Sequence, residues 1–182
     1  MKQVTIILLL LCLIIPSAAA ARAVEVPRDV YQLNPYMEGL PDPSGEWTLA
    51  DVTGALDQDF RKLTKKDPNF GYSRWPYWVR IDFDEELDVD EAWILEIANP
   101  RLQGIDLYIL QNGTWHHVEA KGSSLSQRRV SLIDAGFAFR LPPATTKLTV
   151  YARIVANGSM DFPMKLWSFH EFTRYVNRIQ IF

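Results

Sequence analysis

The segment Tyr77-Trp78-Val79-Arg80-Ile81-Asp82-Phe83 alternates strictly. Side chains leave an extended strand by alternate faces. Trp78, Arg80 and Asp82 therefore share one face, and Val79, Ile81 and Phe83 share the other. The first face joins an aromatic ring, a cation and an anion. Other alternating segments add Glu96, Asp106, Tyr108, Tyr151 and Arg153 on their polar sides. Rings beside arginines and carboxylates suit a sugar. Its apolar faces stack on aromatics, and its hydroxyls bond to charged groups. The same residues would also make ordinary cross-strand pairs on a solvated sheet, such as Arg80 with Asp106. Alternation alone leaves both readings open.

Other chemistry has less support. His116 and His117 are adjacent, so on a strand they point to opposite faces and cannot chelate one metal; His170 stands apart. Neither a Gly-x-Ser-x-Gly elbow nor a phosphate-cradling loop occurs. A glycosidase would need two carboxyl groups about 5–10 Å apart across a cleft. Asp82, Glu96 and Asp106 are the set to check. The sequence calls for no catalytic residue, no metal and no cofactor.

The elements that must carry these residues are short strands. Trp78–Phe83, Trp93–Ala98, Gly104–Leu110, Thr114–Val118, Phe137–Leu141, Lys147–Val155 and Phe162–Phe169 are each predicted as strands. Leu148, Val150, Ala152 and Ile154 point inward, and Thr149, Tyr151 and Arg153 outward. Asn112-Gly113 and Asn157-Gly158 are predicted hairpin turns. Val24–Gly45 is read as irregular, with a turn at Asp42-Pro43-Ser44-Gly45. Trp47–Phe60 is a predicted helix, capped by Thr48 with Asp51 three residues on, and packed on the edge or end of a sheet. Seven or eight short strands with turns between them predict an all-β sandwich or jelly roll with one short N-terminal helix.

Residues 1–23 have a positive start, an apolar run from Ile6 to Ile15 and a small-residue end, the pattern of a secretory signal peptide. The 182-residue chain has 19 basic and 22 acidic residues. Lys2 and Arg22 leave with the leader, and the remainder stands near −5, which argues against nucleic acid as partner. Cys12, the single cysteine, leaves with it too, so no disulfide is expected. An exported domain held by its core alone suits a bacterial periplasm.

The order of motifs resembles the type 2 extracellular sensor domain of bacterial seven-transmembrane receptors with diverse intracellular signalling modules. The matching pieces run from Asp42-Pro43-Ser44-Gly45 through Ser73, Tyr77-Trp78-Val79-Arg80 and Trp93-Ile94-Leu95-Glu96-Ile97 to Ile105-Asp106-Leu107-Tyr108. Gly122, Ser126-Gln127-Arg128, Leu148 to Arg153, Gly158-Ser159, Pro163 and Trp167 continue them. The resemblance implies a jelly roll akin to carbohydrate-binding modules over residues 24–172. It also implies a non-catalytic sensory role outside the inner membrane. Residues 173–182 would then be a tail leading toward a first transmembrane helix, with the seven-helix region expected C-terminal to this chain and not present in it.

On that resemblance, Trp78, Arg80, Tyr108, Arg128 and Arg153 are the expected ligand-binding residues. Arg80 and Arg153 would hold the ligand's oxygens, Trp78 and Tyr108 would stack on it, and Arg128 would reach in from its loop. The expected ligand is a carbohydrate or another polar small molecule. The alternative is a periplasmic protein-interaction or dimerisation module with no small ligand. Trp78 and Arg80 could equally be shared across the family because they hold the sheet together.

Overall fold

The computed structural model describes residues 30–63, 69–83, 87, 90–121, 136–143 and 147–179. Its strands begin with β1 (Val30–Gln32), β2 (Glu38–Pro41), β3 (Arg61–Lys62), β4 (Asn69–Ser73), β5 (Tyr77–Phe83) and β6 (Trp93–Ile97). They continue with β7 (Leu102–Gln111), β8 (Thr114–Lys121), β9 (Phe137–Arg140), β10 (Leu148–Ala156), β11 (Gly158–Asp161) and β12 (Met164–Ser168). Two helices are described, α1 (Leu49–Thr53) and α2 (Phe169–Ile179).

One sheet has the order β3-β2-β5-β10-β7-β8 and the other β1-β12-β6-β9, while β4 and β11 form a separate ribbon. Every pairing among the described residues is antiparallel. The alternating pattern of the sequence maps onto the two faces as expected. Val79, Ile81, Phe83, Leu107, Ile109, Val150 and Ile154 of the larger sheet share one buried cluster with Leu95, Ile97, Phe139 and Leu166 of the smaller. Fully burying a side chain of this size stabilises the fold by about 1.5–3 kcal/mol, so the interface between the sheets dominates stability. The protein is an all-β sandwich. Between β7 and β8, Asn112 (φ 50°) and Gly113 (φ 73°) are both left-handed, the two-residue turn that matches strand twist.

Four expectations are corrected. The stretch read as irregular contains β1 and β2; each is only three or four residues long, and prolines flank or end them. Asn157-Gly158 does not close a hairpin. β10 pairs with β5 and β7, whereas β11 leaves the sheet to pair with β4. The predicted helix is shorter, α1 followed by a 3-10 turn at Asp57–Asp59. Its capping box is present: Thr48 Oγ1 accepts from the Asp51 amide, and Asp51 accepts from the Thr48 amide. That segment lies on the outer face of the six-stranded sheet, not at an edge, because Val52 and Phe60 are buried with Leu40, Trp78 and Tyr151.

The end of the chain, read as a tail, forms α2. Phe172 and Val176 seat it on Ile94 and Trp167, on the outer face of the smaller sheet. Among the described residues, no helix is long and apolar enough to cross a membrane.

Candidate functional site

Antiparallel register sorts the outer face of the six-stranded sheet into three rungs. The first carries Leu40, Trp78, Arg153, Asp106 and Glu119. The second carries Glu38, Arg80, Tyr151, Tyr108 and His117, and the third Asp82, Thr149, Leu110 and Trp115. Successive rungs are two residues apart, about 7 Å along the strands. Trp78, Arg80, Tyr108 and Arg153 do share one face, as alternation predicted. Arg128 lies outside the described residues.

The segment from Asp42 to Phe60 crosses this face as a strap. Asp42 is fully buried and caps the turn below it: its carboxylate accepts from Ser44 Oγ at 2.7 Å and from the amides of Gly45 at 2.8 Å and Trp47 at 3.1 Å. Arg153 clips that turn to the sheet by donating to the Gly45 carbonyl at 2.7 Å. Its other terminal nitrogen lies 3.9 Å from Asp106, its register partner on β7. Beyond the turn, α1 closes over Trp78, which is left 1% exposed. The indole runs nearly parallel to Tyr108, with centroids 5.9 Å apart, and Tyr108 stacks on His117 at 4.4 Å. Burial pushes the Tyr108 hydroxyl pKa up, and the Asp106 charge adds to it. Trp78 Nε1 is buried without a hydrogen-bond partner among the described residues.

Arg80 stands where the strap ends. Its Nε donates to Glu38 at 2.9 Å and its Nη1 to Asp57 of the strap at 2.6 Å. The guanidinium lies 4.7 Å from the centre of the Phe60 ring and also bonds with Tyr151. Burial alone would disfavour its charge. The bonds to Glu38 and Tyr151 outweigh that, and its pKa rises. Burial likewise raises the pKa of Tyr151, against the pull of Arg80.

Past Arg80 the face opens into a cleft of about 580 Å³ over the second and third rungs. Glu38, Arg80, Asp82, Thr149 and Leu110 form its floor, with Lys147 and the Asn112-Gly113 turn beside them. Thr149 Oγ1 donates to Asp82 at 2.8 Å, and the second Asp82 oxygen is 4.0 Å from Arg80 Nε. The cleft thus offers both charges and a hydroxyl within hydrogen-bonding reach of one another.

Of the residues expected to bind ligand, Arg80 alone lines this cleft among those described. Trp78 and Arg153 face the strap, so a ring stacked on Trp78 does not fit this arrangement. Arg80 and Asp106 do not pair; Asp106 faces Arg153 and His117, while Arg80 faces Glu38 and Asp57. Glu96 is on the other sheet, buried, accepting from Trp167 Nε1 at 2.8 Å. Asp82, Glu96 and Asp106 therefore do not converge on one cleft. Sequence reasoning missed Glu38 and Lys147, which flank the stronger patterns. Among the described residues, no three His, Cys, Asp or Glu side chains are grouped to hold a metal ion.

No curated protein matches the chain. A family model described as 7TMR-DISM extracellular 2 matches residues 34–168, a span that includes the strap, the cleft floor and every described strand except β1. The chain therefore belongs to the 7TMR-DISM extracellular 2 family, extracellular sensor domains of receptors.

Proposed function

We propose that the chain is a non-catalytic periplasmic ligand-sensing domain, exported with removal of residues 1–23, whose outer-sheet cleft takes a polar small molecule. The observation that carries this reading is the double use of Arg80. One guanidinium lines the open cleft and also binds Asp57 of the strap. A ligand oxygen that drew on the same donors would weaken the hold on Asp57. Occupancy of the cleft would then be transmitted to the strap as a change in its seating. A ligand shifts such an equilibrium only by binding the two arrangements unequally, and competition for one guanidinium supplies that difference.

A carbohydrate is the ligand class we favour. Its hydroxyls both donate and accept, which suits a floor of Glu38, Asp82, Arg80 and Thr149. Recognition in this cleft rests on hydrogen bonds to charged groups, with Trp78, Tyr108 and Arg153 supporting the floor from beneath the strap. Arg128 remains a proposed loop donor.

The test is a thermal-shift screen of the exported chain against mono- and oligosaccharides, amino acids and nucleosides. A ligand in excess of its Kd raises Tm, because it binds the folded state alone. The expected result is a shift that Asp82→Asn abolishes while keeping the unliganded Tm within a few degrees. A shift unaffected by Asp82→Asn would move the site elsewhere. No shift with any compound would favour a periplasmic protein partner or self-association.

A further inference from the structure

We infer that a second cleft, where the β4–β11 ribbon meets the ends of β7 and β10, is a site for an oxyanion carried on a ring. It does not depend on the Arg80 cleft. From Thr149 to Ala156 along β10 is seven residues, about 23 Å.

The second cleft has a volume of about 540 Å³ and is lined by Tyr72, Ser73, Arg74, Gln103 and Val155–Gly158. Its chemistry differs from that of the Arg80 cleft in one decisive way. Among the described residues, no carboxylate lines it. Arg80, Arg153 and Arg174 each face an acidic side chain, whereas Arg74 has no ion pair among the described residues. A guanidinium beside neutral amide donors is a receptor for a carboxylate or sulfate, which it binds through two parallel hydrogen bonds. Gln103 and Asn157 each bring a side-chain amide that can donate further N–H bonds to the anion.

The aromatic component is beside it. Tyr72 is 92% exposed and Trp75 52%, the two most exposed large hydrophobic residues among those described. Both are presented on fixed backbone. The Ser73 hydroxyl accepts from the Trp75 amide at 3.1 Å and donates to the Trp75 carbonyl at 3.0 Å. Gly71, at φ 71°, makes the left-handed bend before Tyr72, and its amide is held by Asn69 Oδ1 at 2.8 Å. Below, the ribbon is anchored to the sandwich by Phe70, stacked on Phe162 with centroids 5.3 Å apart. The backbone that carries Tyr72, Arg74 and Trp75 is thus held in place before any ligand arrives, which lowers the entropic cost of binding.

The test uses the exported full chain, labelled with ¹⁵N, titrated with glucuronate and with benzoate to about 20 mM. The two probes share a carboxylate on a ring but differ in the ring. Glucose and benzyl alcohol are the neutral controls. The expected result is saturable shifts of the amides of Tyr72–Trp75 and Asn157–Gly158 with at least one acid. Neither neutral control should produce them. Arg74→Ala, an exposed change that leaves the spectrum elsewhere intact, should weaken binding at least tenfold, and Asp82→Asn should not alter it. Silence with both acids, equal shifts from the neutral controls, or full affinity in Arg74→Ala would each overturn the inference. Loss in Asp82→Asn would show that the anion sits in the Arg80 cleft instead, and would also overturn it.

Discussion

Replacing Arg80 by Ala should destabilise the protein by about 3 kcal/mol. Removing one member of a fully buried ion pair costs about 3–5 kcal/mol, because the remaining charge is left in a poor solvent. Exposed pairs contribute about 0–1 kcal/mol. The side chains of Arg80 and Glu38 are 18% and 14% exposed, near the first limit, while that of Asp57 is 35% exposed, nearer the second. Most of the loss therefore comes from Glu38, with smaller parts from Asp57 and the Phe60 ring. For a domain of this size the change corresponds to a fall in Tm of about 6–12 °C.

The assay is urea unfolding followed by tryptophan fluorescence, in a double-mutant cycle with Glu38→Gln. A neutral amide in place of the Glu38 carboxylate removes the stranded charge, so the double variant should cost about 1–2 kcal/mol less than the sum of the singles. A cost below about 1 kcal/mol together with strict additivity would refute the reasoning. Arg80 would then be a screened surface group, and the strap would be held by its apolar contacts and the Arg153 clip. For the same reason, loss of ligand binding in Arg80→Ala cannot by itself place the ligand; Asp82→Asn is the cleaner probe.

Val52, on the buried underside of the strap, should cost about 2 kcal/mol as Ala and should speed amide hydrogen exchange over residues 49–60. Gly136 precedes β9 at φ 150°, and a Cβ there would lie 2.3 Å from the Ile97 carbonyl oxygen and 2.9 Å from the Ala98 Cα. Gly136→Ala should therefore leave little folded protein on export, read by circular dichroism of whatever is recovered. Burial raises the pKa of Tyr77, Tyr108, Tyr151 and Tyr175 above the usual 10.0. Above pH 10 the unfolded chain gives up these protons first, so the native state binds more of them and stability falls as pH rises. The urea midpoint should drop from about pH 10 upward. Tyr151→Phe should flatten that dependence, and an unchanged slope would show that Tyr151 titrates alike in both states.

How far the sequence could be read depends on the distance over which each interaction acts. Long strands with period-two alternation, β5, β7 and β10, were legible because each side chain's face is decided by its immediate neighbours. The capping box of α1 and the Asn112-Gly113 turn were legible for the same reason. β2 was not, because four residues ending in Pro41 give no period to detect, and Glu38 was lost with it. α2 did carry a signal in Ser168 and Glu171 at capping spacing ahead of Phe172 and Val176. An apolar residue such as Trp78 among outward-facing charges was likewise a sign that something covers it.

By itself, then, the sequence determined the sandwich, the orientation of each long strand's side chains and the company of Trp78, Arg80, Tyr108 and Arg153 on one face. Only the tertiary structure decided what that face does. Arg80 meets Glu38 from 42 residues away, and Arg153 meets Gly45 from 108. Those meetings turn half of a polar sheet into the seat of a strap and leave the other half as a cleft. Periodicity is a local property of the chain, whereas the seat of a strap depends on which distant surfaces the fold brings into contact.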